Sequence, residues 1–118
     1  MMLKDKIRRL DKEDMYTSLY NFPNQIRDSK LLMSKIILRH RDNINSILVC
    51  GMGGSAIGAD LVKSITSNIL DKQITVNRDY KLPKWVDNNT LIILSSFSGN
   101  TEEVLSCLED CKINSFKP

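Results

Sequence analysis

Ser46-Ile47-Leu48-Val49-Cys50 runs directly into Gly51-Met52-Gly53-Gly54-Ser55, and the reading of this stretch decides the fold. A short aliphatic run that stops at clustered glycines is a buried strand entering a tight turn. From Ala56 onward Ile57, Leu61, Ile65 and Ile69 recur every fourth residue, which is the spacing of one helix face. The same order returns downstream, with Thr90-Leu91-Ile92-Ile93-Leu94-Ser95, then Ser96-Phe97-Ser98-Gly99-Asn100-Thr101, then a helix from Glu102 to about Asp110. Thr90 to Ser95 is apolar on both faces, as expected of a central parallel strand. Ile74-Thr75-Val76 supplies a further strand, followed by the polar connection Asn77 to Pro83. Alternating strands and helices imply an α/β fold, a parallel sheet with flanking helices and right-handed crossovers. In such sheets ligands bind at the carboxyl ends of the strands, where both loops fall.

Upstream, Lys12 to Tyr20 and Asn24 to Arg41 read as two helices, divided at Phe22-Pro23, where proline disfavours helix before it and suits a helix start. Ile26, Met33, Ile36 and Ile37 form an apolar stripe expected to pack on the segment downstream of it. The expected organisation is a helical lead-in over residues 1–45 and an α/β domain over 46–118. After the helix carrying Val104, Leu105 and Leu108 a parallel sheet needs another apolar strand. Ile113 and the polar tail Asn114 to Pro118 do not supply one, so the chain is expected to stop in mid-domain.

The 118 residues allow one compact domain, and 42% hydrophobic with 26% charged residues is an ordinary globular composition. Lys and Arg number 17 against 14 Asp and Glu, with the signs interleaved from Lys4 to Asp14, so no basic stripe for nucleic acid forms. Arg27, Lys30, Lys35, Arg39 and Arg41 read as a solvated helix face. Cys50, Cys107 and Cys111 are too few for a disulfide framework, and a reduced, cytoplasmic setting is expected. Cys107 and Cys111 share a helix face but lack further ligands nearby, so they read as packing residues and no metal is expected. Apolar runs such as Leu91 to Leu94 are far shorter than a membrane span.

A glycine-rich turn between strand and helix lets backbone N–H groups converge at the positive end of a helix dipole, which suits a phosphate. The second loop adds the hydroxyls of Ser96, Ser98 and Thr101, and Asn100 with Glu103 has the spacing of a capping box. Taken singly, each loop is also what any close strand-to-helix turn or ordinary helix cap looks like. Together, at corresponding ends of parallel strands, they favour a phosphate-bearing ligand. Gly51-Met52-Gly53-Gly54-Ser55-Ala56 also satisfies the dinucleotide pattern G-x-G-x-x-G/A, with Asp79 as the ribose acid. Asp79 lies beyond the usual spacing, however, and a dinucleotide leaves the hydroxyl-rich loop unexplained. Neither Ser55 nor Ser98 has the G-x-S-x-G surround of a hydrolase elbow.

Gly51-Met52-Gly53-Gly54-Ser55-Ala56-Ile57-Gly58, then Arg78-Asp79-Tyr80 with Leu82-Pro83, then Ser96 to Glu103, resembles the bifunctional phosphoglucose/phosphomannose isomerase family of SIS-domain proteins. Met15-Tyr16 and Phe22-Pro23-Asn24-Gln25-Ile26 are similar to that family's helical lead-in, and the resemblance extends to about Lys112. It implies an SIS-type fold with flavodoxin-like layering, of which this chain is the partial amino-terminal domain. It also implies phosphate- and substrate-holding roles for Gly53, Gly54, Ser55, Ser96, Ser98 and Thr101. Ala59 departs from the family's pattern, which commonly has a second glycine there. The implied reaction is aldose–ketose isomerisation of glucose-6-phosphate or mannose-6-phosphate with fructose-6-phosphate, through a cis-enediol and without a cofactor. The family's catalytic arginine, glutamate, histidine and lysine match nothing in this chain, so the chain alone is expected to be inactive, and a homodimer is the assembly to look for in the full-length form. His40 between Arg39 and Arg41 reads as a helix-end residue, and Glu102 and Glu103 as dipole partners of a first turn. The alternatives are a sugar-phosphate-binding module without catalysis and a nonfunctional fragment.

Overall fold

The computed structural model describes residues 3–37 and 43–118 of the chain, and these form two compact units. His40, Arg39 and Arg41 lie outside the described residues.

The first unit contains α1 (Leu3–Leu10), α2 (Met15–Tyr20) and α3 (Phe22–Met33). The carboxylate of Asp11 accepts the N–H groups of Met15 at 2.8 Å and Tyr16 at 2.7 Å, so the turn before α2 is given over to capping. The helix expected from Lys12 therefore starts only at Met15, after Asp14 in a left-handed conformation. Pro23 sits in the first turn of α3, where its missing N–H costs nothing. α3 is shorter than the expected Asn24 to Arg41. The Ser34 hydroxyl donates to the Leu31 carbonyl at 2.7 Å, and Lys35 and Ile36 close onto Leu32 and Met33, which tightens and ends the helix. Ile26, Met33, Ile36 and Ile37 stand on the surface of this first unit.

The second unit is a three-stranded parallel sheet, β1 (Ser46–Gly51), β2 (Gln73–Asn77) and β3 (Thr90–Ser95), in the order β2-β1-β3. Two helices accompany it, α4 (Gly53–Thr66) after β1 and α5 (Glu102–Ile113) after β3. The glycine loop comes directly after the middle strand, and the hydroxyl loop after its neighbour. Register pairs Gly51 with Ser95, so the two loops leave the sheet side by side at one end. β3, expected to be central, lies at the edge and leaves Ile93 43% exposed, whereas β1 has neighbours on both sides.

Strand alternation divides the sheet into two faces. On one, Leu48, Cys50 and Ile92 pack under Cys107 and Cys111 of α5, sealed by Val86 with Leu82, Leu94 and Phe116. The tail folds back to make this contact, with Phe116 N–H donating to the Cys111 carbonyl at 2.9 Å. The other face presents Ile47, Val49, Ile74 and Ile93 toward α4, leaving an apolar groove beside Gly58, Ala59 and Val62. At the far end of the sheet the buried Thr90 hydroxyl bonds Asp87 at 3.0 Å and shares a 3.2 Å hydrogen bond with Ser46, which pins the start of β1 to the start of β3. Among the described residues no helix is long and apolar enough to cross a membrane.

Candidate functional site

The first loop is shaped by two glycines with different tasks. A Cβ on Gly51 would stand 3.1 Å from the Ser95 carbonyl oxygen, so glycine here lets the ends of β1 and β3 approach. Gly53 has φ +51°, a left-handed conformation that a side chain disfavours, and it turns the chain into α4. Met52 precedes the helix in extended conformation, and its carbonyl takes the N–H groups of Ser55 at 3.1 Å and Ala56 at 3.4 Å. No side chain caps α4, which leaves the Gly53 and Gly54 amides of its first turn for a ligand.

The second loop is held by its own hydroxyls. Ser96 Oγ accepts the Gly99 N–H at 3.0 Å and shares a 2.8 Å hydrogen bond with Thr101 Oγ1. Of the two hydroxyl protons in that pair, one closes the mutual bond and the other is left to donate. Ser98 Oγ accepts the Asn100 N–H at 3.1 Å, so its oxygen is used internally while its proton is free for an acceptor. The expected Asn100–Glu103 capping box does not form. Thr101 is the N-cap, in extended conformation, and its hydroxyl is turned to Ser96 rather than to the helix, so α5 also begins without a side-chain cap.

Between the loops lies a cleft of about 540 Å³ lined by Met52, Gly54, Ser55, Phe97, Ser98 and Thr101. Four of the six residues proposed from sequence therefore share its wall. Gly53 and Ser96 stand behind, the one setting the helix entry and the other bracing the loop. Met52 and Phe97 were missed, although both stand inside the loops that carry the signal. The lining holds no charged side chain; the start of α4 carries no acidic residue in its first turn, whereas Glu102 and Glu103 stand in the first turn of α5 and offset its dipole.

Around the site the polar connection after β2 serves packing. The Asn77 side-chain amide donates to the Lys81 carbonyl at 3.1 Å and contacts Cys107 Sγ at 3.5 Å. Asp110 on α5 accepts Lys81 Nζ at 3.0 Å and the Leu82 N–H at 3.2 Å, bonds that hold its carboxyl below the usual range. Arg78 pairs with Asp60 of α4. Asp79, the ribose acid of the dinucleotide reading, lies past the end of β2 and accepts the Tyr80 N–H at 2.7 Å within its own turn. The Tyr80 hydroxyl approaches Glu102 at 3.5 Å, and the charge of Glu103 foremost, then burial and Glu102, pushes its phenol up. Burial pushes the Cys50 thiol up to about 12, with Cys107 adding to the effect. Cys107 and Cys111 are raised for the same leading reason, in keeping with their packing role.

No family model matches the chain, and no solved structure is detectably similar to it. Curated proteins are. The bifunctional phosphoglucose/phosphomannose isomerase of Caldicellulosiruptor bescii is 40% identical over 104 residues, covering 87% of this chain and 31% of that protein. The protein of the same name from Aquifex aeolicus is 35% identical over 107 residues, 90% of this chain and 32% of its own length. That of Thermoplasma acidophilum is 42% identical over 66 residues, 56% of this chain and 20% of its own. The chain thus spans about a third of the length of the first two of these relatives. Over most of its length the chain is thus a homologue of bifunctional phosphoglucose/phosphomannose isomerases, matching their amino-terminal portion.

Proposed function

We propose that this chain supplies the phosphate anchor of a sugar-phosphate isomerase that interconverts glucose-6-phosphate or mannose-6-phosphate with fructose-6-phosphate. The observation that carries the reading is the shared cleft, where Gly54 and Ser55 at the start of α4 meet Ser98 and Thr101 before α5. A phosphate carries about −1.5 to −2 charges near neutral pH and needs several donors. Two uncapped helix starts and three hydroxyls offer them without a cation.

In this proposal the loops belong to the amino-terminal SIS-type domain of a larger cytoplasmic enzyme, assembled as a homodimer in its full-length form. The anchor fixes the phosphate end so that C1 and C2 are presented to a carboxylate that moves the proton through a cis-enediol. That carboxylate and the groups stabilising the enediolate lie in the part of the protein that this chain does not span, so the 118 residues alone bind without turning over. Calorimetric titration with glucose-6-phosphate, inorganic phosphate and NAD tests the reading. Binding of both phosphate compounds with no NAD response is expected. An NAD isotherm with no response to sugar phosphate overturns it in favour of a dinucleotide site.

A further inference from the structure

The cleft is larger than a phosphate requires. Its volume of about 540 Å³, on a side largely open to solvent, leaves room beside a phosphate. The oxygens of one phosphate replace only a few waters of about 30 Å³ each, so most of the cleft is left for the rest of the ligand. The polar lining ends at Gly54, Ser55, Ser98 and Thr101, and the remaining surface is Met52 and Phe97. Phe97 is fully exposed, so packing within the described residues gives no reason for an aromatic ring between Ser96 and Ser98. The backbone of that loop is already held by Ser96, Ser98 and Thr101, none of whose bonds involves the ring. A flat apolar face beside hydrogen-bond donors matches a ligand that is itself amphipathic, with C–H bonds on one side and oxygens around its edge.

We propose that Phe97, with Met52, is a specificity-determining contact: its ring packs against the C–H face of the sugar while the two loops hold the phosphate. This inference rests on the sugar-phosphate reading and deepens it by dividing the cleft into a phosphate half and a sugar half. The test is parallel titration of the full 118-residue chain and its Phe97→Ala and Phe97→Tyr variants with glucose-6-phosphate and with inorganic phosphate. Phe97→Ala is expected to weaken glucose-6-phosphate binding roughly three- to tenfold while inorganic phosphate binding stays within about twofold, and Phe97→Tyr, which keeps the ring, is expected to retain sugar-phosphate affinity. Equal weakening of both ligands by Phe97→Ala, or no effect on either, overturns the inference and leaves the phosphate anchor standing. Binding of neither ligand by the unsubstituted chain overturns the anchor itself.

Discussion

Removing the Ser98 hydroxyl is the sharpest perturbation of the anchor. Its oxygen accepts the Asn100 N–H at 3.1 Å, and its proton is the part available to the cleft, so Ser98→Ala removes one loop bond and one donor to the ligand. The loop bond joins exposed groups, which water replaces, and its loss costs about 0.5–1.5 kcal/mol at most. A hydrogen bond to a charged phosphate is worth about 1.5–3 kcal/mol, so affinity for glucose-6-phosphate and for inorganic phosphate should fall roughly 10- to 100-fold. Thr101→Val should act similarly, because it also strips Ser96 of its 2.8 Å partner. Ser106→Ala, further along α5 and outside the cleft lining, is the control and should leave both affinities in place. Calorimetry reads the difference, with circular dichroism to show that each variant keeps its helices. Unchanged phosphate affinity in Ser98→Ala, or an equal loss in Ser106→Ala, would refute the reasoning.

Gly51→Ala places a methyl group 3.1 Å from the Ser95 carbonyl, and the packed strand ends must give way, so thermal melting should show a loss of about 1–3 kcal/mol. The Asp110 carboxyl is depressed below its ordinary 3.8 by the Lys81 and Leu82 hydrogen bonds, so its contribution to stability is present above that value and is lost as pH falls through the lower folded pKa. Urea midpoints between about pH 5 and pH 2 should therefore drop less steeply in Asp110→Asn than in the parent chain. Cys50, with its thiol pushed up to about 12 and its side chain buried, should resist thiol reagents at about pH 8 in the folded protein and react once urea unfolds it.

The strands were legible because aliphatic runs ending in small or polar loops leave little choice of conformation, and β3 occupies the expected Thr90 to Ser95. Its place in the sheet was not legible. Hydrophobicity on both faces says that helices cover a strand, not which strands flank it, and the order β2-β1-β3 puts the first strand in the middle. α1 carried a signal in Leu3, Ile7 and Leu10, but the surrounding charges obscured it. The ends of α2 and α3 depend on side-chain competition for backbone groups by Asp11 and Ser34, which periodicity does not report. In the site, glycines and hydroxyls announced the donors. The apolar wall of Met52 and Phe97 passed unnoticed because an aromatic residue between polar neighbours looks like any loop residue until its exposure is known.

The central claim is that two loops separated in sequence hold one phosphate, and backbone amide shifts during titration with inorganic phosphate measure this most directly. The account predicts that amides from Gly53 to Ala56 and from Ser98 to Glu103 shift together and saturate at the same phosphate concentration. Shifts confined to one loop, or saturation of the two at different concentrations, would contradict it.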